Sequence, residues 1–149
     1  MITQNQCFPR KAQYFSSGGA VMVKIEGNCK DIIDKAEWFA VATTGTDGPQ
    51  LSATWGDYIR TLGIRDGGIV LVPIAGYYGT EQNLAKDSRI EMLWATRQVQ
   101  GKYGPGNGCK IRGTGQIQTT GEFAEAAKEK FPWARGVLVV KIQEIREQL

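Results

Sequence analysis

The segment Ala75-Gly-Tyr-Tyr-Gly-Thr-Glu81 joins an apolar run to the start of a helical pattern. At such a junction free backbone N–H groups and the helix dipole favour an anion such as a phosphate, and two glycines let a ligand approach the backbone closely. The same residues also describe an ordinary strand-to-helix turn with a threonine cap. Flat rings could stack on Trp55, Tyr58, Tyr77, Tyr78, Trp94, Tyr103 or Trp133, although most aromatics in a small domain serve the core. The glycine-rich run from Gly101 to Gly108 lies between two extended patterns, and Pro105 removes an N–H donor from it. It therefore reads as a hairpin tip and not as a dinucleotide fingerprint. No Gly-Lys-Ser/Thr phosphate loop occurs. Glu81, Asp87, Glu91, Glu122 and Glu125 fall on helical or strand-edge positions without a recognisable pairing, so no carboxylate is assigned general acid or base work.

Composition narrows the chemistry further. The chain has 149 residues, about one domain, and no histidine. Neither a Ser-His-Asp nor a Cys-His nucleophile can be assembled, and the usual imidazole zinc site is excluded. Eighteen Lys and Arg against fifteen Asp and Glu give +3, a mild and dispersed charge that argues against nucleic acid as a partner. Cys7, Cys29 and Cys109 have no repeated spacing, which fits neither a disulfide framework nor a four-thiolate metal site, so reduced cytosolic thiols are expected. The longest apolar runs are strand-length and no signal core is evident, so a cytoplasmic protein without a membrane partner is expected.

These candidate groups need elements to position them. Residues 1–35 are expected to form an extension with a short helix, capped by Asn28 and running through Ala36, with Ile32, Ile33 and Ala36 on one face. Residues 36–149 are expected to form the domain proper. Trp38 to Thr43 and Gln50 to Trp55 flank dense turn chemistry and predict a hairpin. Asp57 to Leu62 alternates around Tyr58, Ile69 to Ile74 reads as a strand, and Pro73 suggests an edge. Thr80 is the expected N-cap of a helix over Glu81 to Asp87. Arg89 to Val99 and Lys110 to Thr119 alternate as long strands. Gly113 and Gly115, on one face, suit either tight barrel curvature or close ligand approach. A helix over Glu122 to Phe131 stops at Pro132, and Gly136 to Ile142 reads as the last strand. About six strands with two or three short helices favour a mainly β, antiparallel barrel.

Taken in order, WFAVATTGTDGPQLSATW, IVLVPIAGYYGTEQNLAKDSRIEML, RQVQGKYGPGNGCKIRG and FPWARGVLVV resemble the small FMN-binding proteins of sulfate-reducing bacteria. These lie within the wider pyridoxamine 5'-phosphate oxidase-like family. The resemblance covers residues 37 to 149 and implies a six-stranded antiparallel split β-barrel that is usually a homodimer, with FMN held non-covalently at the subunit interface. It implies that the strand Ser52-Ala53-Thr54-Trp55 and the loop from Pro73 and Ile74 through Ala75, Gly76 and Gly79 to Thr80, with Asn83, cradle ribityl and phosphate. It further implies that Trp55, Tyr58, Trp133 and Leu149 cover the flavin ring, and that Gln98 contributes from the strand after the helix. The family places a basic residue where this chain has Gly79, so the phosphate would need a cation from elsewhere, such as Arg97 or Lys102. Ala53 is a second departure, at a position where a relative carries a polar side chain. The function implied is a redox flavoprotein: an electron-transfer or flavin-reductase-like protein, and so an FMN-dependent oxidoreductase, in which the cofactor does the chemistry and no side chain is catalytic. The alternative is a binding module that holds FMN or another planar cofactor without turnover. The residues name neither electron donor nor acceptor.

Overall fold

The computed structural model of the protein describes residues 14–17, 20–65 and 67–148. Cys7 and Leu149, and the contributions expected of them, lie outside the described residues. The chain opens with a short antiparallel hairpin, β1 (Tyr14–Ser17) and β2 (Ala20–Val23). Helix α1 (Gly27–Lys35) follows. Its N-cap is Glu26, without a side-chain cap bond, and not Asn28 as expected. The Asn28 amide instead donates to Glu147 at 2.8 Å, a partner 119 residues away that no local pattern can announce.

Six strands make the main sheet: β3 (Trp38–Gly45), β4 (Gly48–Trp55), β5 (Ile69–Ile74), β6 (Arg89–Gln100), β7 (Pro105–Gln118) and β8 (Gly136–Glu147). They lie in the order β4-β3-β6-β7-β8-β5 with every neighbouring pair antiparallel, and the sheet curls into a half-barrel. The expectation of a mainly β, six-stranded antiparallel architecture is met. Pro73 sits on an edge strand, since β5 pairs only with β8 among the described residues.

Three further helices pack on this sheet: α2 (Gly56–Leu62), α3 (Tyr78–Lys86) and α4 (Glu122–Lys130). The alternation expected over Asp57 to Leu62 is in fact helix α2, which buries Ile59 and Leu62 at a spacing of three. Over so few residues the two periodicities share positions. The Arg60 guanidinium, donating to the Ile33 and Ala36 carbonyls at 3.1 and 3.0 Å, ties α2 to the end of α1.

Two apolar clusters divide the interior. Phe39, Val41, Ile90, Met92, Trp94, Ile111, Leu138 and Val140 fill the inside of the curl, and Ile32 and Ile33 of α1 join them. Phe39 stacks on Trp94 with centroids 5.0 Å apart. Leu71, Val137 and Val139 face the other way, against Ala124 and Ala127 of α4. Strand β5 is buried on both faces, which is why its sequence is a continuous apolar run. Gly113 has a local cause: a Cβ there would lie 2.1 Å from the Lys141 carbonyl oxygen, at a register shift between β7 and β8. A Cβ on Gly115 would meet Leu84 and Ile90 at 3.2 and 3.3 Å. Both glycines therefore serve strand curvature and helix packing, not ligand approach. No helix among the described residues is long and apolar enough to cross a membrane.

Candidate functional site

The site is built where β4, the β5–α3 loop and the segment after α4 converge. Strand β4 presents alternate residues to opposite sides, as its pleat requires. Gln50, Ser52 and Thr54 turn inward and are half-buried, whereas Leu51, Ala53 and Trp55 are exposed. Of the four residues expected from this strand, Ser52 and Thr54 thus reach the loop, while Ala53 and Trp55 lie on the outer face.

The loop leaves the buried end of β5, Pro73 and Ile74, and passes through Ala75 and Gly76 to Tyr77. Tyr77 holds a left-handed backbone (φ 66°, ψ 26°), a conformation costly for a bulky side chain. It is the N-cap of α3, and it makes no side-chain cap bond. The expected cap, Thr80, is instead buried in the first helical turn. The first helical hydrogen bond runs from the Glu81 N–H to the Tyr77 carbonyl at 2.9 Å. The N–H groups of Tyr78, Gly79 and Thr80 precede it, at the positive end of the helix.

The Tyr77 phenol lies beside Ser52 and Thr54. Burial pushes its pKa above the ordinary value, outweighing the two nearby hydroxyls. The Tyr77 and Ser52 hydroxyls are nevertheless buried without a hydrogen-bond partner among the described residues. Two such hydroxyls at one place are unusual in a folded protein.

Gln50 and Asn83 lie beside the start of α3. Asn83 Nδ2 donates to Thr43 Oγ1 at 3.1 Å and to Gln50 Oε1 at 3.2 Å, linking α3 to the β3–β4 hairpin. The Gln50 amide lies 2.6 Å from where a Cβ of residue 79 would stand. Glycine at 79 and glutamine at 50 thus fill the space together.

Arg135, which the sequence reading did not single out, organises the loop. Its Nε donates to the Ala75 and Gly76 carbonyls at 2.9 and 3.0 Å, and its Nη2 to the Gly76 carbonyl at 2.8 Å and to Glu81 at 3.0 Å. The guanidinium also lies 4.2 Å from the centre of the Tyr78 ring. Arg97 and Lys102, considered earlier as compensating cations, belong to β6 and to the β6–β7 turn. Tyr58 of α2 packs against Phe131 and Trp133 with ring centroids 5.0 and 5.4 Å away, so a half-exposed aromatic wall stands near the loop that Arg135 holds. Gln98 stands exposed toward the far end of β6, its N–H bonded locally to Thr96. It is not gathered into this group. Among the described residues no cluster of three or more potential ligands could hold a metal ion.

No family model matches the chain. A curated FMN-binding protein of Nitratidesulfovibrio vulgaris (strain Miyazaki F) is 37% identical over 125 residues, which span 84% of this chain and 99% of that one. The chain belongs to that FMN-binding protein family. Solved structures of low identity share the fold. HupZ of Group A Streptococcus is 23% identical, covers 78% of this chain and 87% of its own, and superposes with a TM-score of 0.61. An FMN-binding protein of Syntrophomonas wolfei is 14% identical, with coverages of 80% and 88% and a TM-score of 0.55. A pyridoxamine 5'-phosphate oxidase-like protein of Lactobacillus delbrueckii is also 14% identical, with coverages of 78% and 90% and a TM-score of 0.58. The half-barrel of this family member is therefore a split barrel of the pyridoxamine 5'-phosphate oxidase-like type.

Proposed function

We propose that the chain binds FMN between β4, the β5–α3 loop and the Tyr58–Trp133 wall, and that it acts as a redox flavoprotein. The observation that carries this reading is the pair of buried hydroxyls of Ser52 and Tyr77, without a hydrogen-bond partner among the described residues, beside a helix start that has no side-chain cap. A ribityl chain offers hydroxyls to the first, and a phosphate suits the N–H groups of Tyr78, Gly79 and Thr80. Tyr58 and Trp133 offer their rings to the isoalloxazine. Arg135 acts on the loop, fixing the carbonyls of Ala75 and Gly76 so that the N–H groups beyond them point one way. When bound, FMN supplies the electron or hydride chemistry, and the protein sets affinity, orientation and solvent access.

A homodimer belongs to the same proposal. Trp38, Leu51, Trp55 and Leu93 are exposed on the outer face of β4-β3-β6, with Ala53 among them. A second copy covers that face and brings Ala53 and Trp55 to the partner's flavin. The visible spectrum of the purified protein, with identification of any released chromophore and an FMN titration, tests the cofactor. A protein that stays colourless at saturating FMN refutes it. The neutral Gln50 amide over Gly79 favours a second reading, a module that holds flavin without turnover. Reduction by NAD(P)H or a reduced carrier no faster than that of free FMN would select the second.

A further inference from the structure

A cavity of about 860 Å³ lies between α1, α2 and residues 63–65 and 67–68, and none of its lining residues belongs to the flavin site. Its size is that of a small-molecule pocket. Every apolar lining side chain is aliphatic, with Ile25 and Ile64 showing surface in front of the buried Val23, Ile33 and Ile59, and no aromatic residue lines it. A planar cofactor finds no stacking surface there, whereas a hydrocarbon chain finds a matching wall. The cavity's charge is equally one-sided. Lys24, Lys30, Arg60 and Arg65 line it against the single carboxylate of Asp34, an excess of three positive charges. The whole chain carries +3, so its remaining charged residues cancel.

These cations differ in availability. Lys30 pairs with Asp34 at 2.5 Å, Lys24 with Glu26 at 3.6 Å, and Arg60 Nη1 is engaged by the α1 carbonyls. Arg65 is anchored through its backbone, its N–H donating to the Ile69 carbonyl at 2.8 Å and its carbonyl accepting from the Ile69 N–H at 3.2 Å. Its exposed guanidinium makes no ion pair among the described residues. Beside it Ile64 is an exposed large apolar side chain, facing the buried Ile33 and Ile59. An exposed cation that pairs with no carboxylate among the described residues, at the edge of an aliphatic cavity, suits an anionic head with a hydrocarbon tail.

We infer that this cavity is a second ligand site, for an aliphatic carboxylate of medium to long chain, with the carboxylate on Arg65 and the tail along Ile25 and Ile64. The inference is independent of the flavin reading. Calorimetric titration of the full chain with decanoate, with 1-decanol as the uncharged control, tests it. One decanoate per chain is expected, and Arg65→Ala is expected to weaken it about 10- to 100-fold, the scale of one charge-assisted hydrogen bond. Arg65→Lys should restore part of that loss, and decanol binding should be the same in all three proteins. Because the Arg65 side chain is exposed and its backbone bonds persist, the variants keep the fold, which thermal unfolding checks. The inference is overturned if decanoate does not bind saturably, if Arg65→Ala binds it as the parent does, or if decanoate releases FMN from the loaded protein.

Discussion

Gly79→Lys separates affinity from stability, because the structure assigns the two effects to different contacts. The backbone at 79 is ordinary helix, so the only obstacle to a Cβ is the Gln50 amide at 2.6 Å, the far end of a flexible side chain. Swinging that amide away breaks the Asn83-to-Gln50 hydrogen bond, worth about 1 kcal/mol. Gly79 is the second residue of α3, so the helix-propensity gain of about 0.5 kcal/mol is offset by placing a cation at the positive end of the helix, and the melting temperature should fall by about 3–6 °C. This exchange is complete before any ligand binds. The new ammonium then gives the phosphate a charge-assisted hydrogen bond of about 1.5–3 kcal/mol, which tightens FMN about 10- to 150-fold. Quenching of flavin fluorescence on titration measures it, with riboflavin as the control that lacks the phosphate. Riboflavin affinity should stay within about threefold, and the FMN gain should shrink as salt is raised. If FMN and riboflavin tighten together, or if FMN does not tighten even in a Gln50→Ala background, the phosphate is not at the start of α3.

Five other outcomes are expected. Tyr77→Phe removes a hydroxyl without a protein partner, so urea stability should hold or rise while FMN affinity falls about fivefold, the scale of one neutral hydrogen bond. Burial raises the Tyr77 phenol above its ordinary 10.0, so the unfolded chain gives up this proton first. Its contribution is therefore intact below pH 10 and is lost above it, and parent stability should fall more steeply than that of Tyr77→Phe over pH 10–11. Arg135→Ala removes every bond to the Ala75 and Gly76 carbonyls and should weaken FMN about tenfold or more; Arg135→Lys should not rescue it, since an ammonium lacks the planar fork. Gly113→Ala drives a methyl into the Lys141 carbonyl and should cost about 2 kcal/mol or more in thermal unfolding. Leu51→Glu charges the outer face and should give a monomer by sedimentation if that face joins two copies.

Much of the fold was legible because its cause is local. Alternation along β6 and β7 reflects a sheet with one face in the core, the β3–β4 hairpin was marked by its turn residues, and the continuous run of β5 reflects burial on both faces. Two strands run further than their patterns: β7 begins at Pro105 and β8 continues to Glu147. Both extensions are held at long range, by the pairing of Cys109 with Glu147 and by Asn107, which donates to Glu147 at 2.8 Å. The β5–α3 loop was legible as a candidate anion site, since its glycines and a helix start stand close in the sequence, whereas Ser52 and Thr54 of β4 entered only through the family resemblance. Arg135 was not legible, because its partners lie 54 to 60 residues away and most are main-chain oxygens that carry no sequence signature. The left-handed Tyr77 was equally hidden, since nothing in a tyrosine's neighbours predicts that backbone.

That same grip determines which positions can drift. Arg135 holds residues 75 and 76 by their carbonyls, and every amino acid brings the same carbonyl to the same place. Substitution at 75 can therefore explore many side chains, changing what the loop shows a ligand without unmooring it. Residue 76 has comparable room, since a Cβ there meets nothing within 4 Å. Arginine at 135 has no such latitude. A combinatorial library aimed at a new flavin specificity should spend its diversity on the two moored positions and leave the mooring untouched.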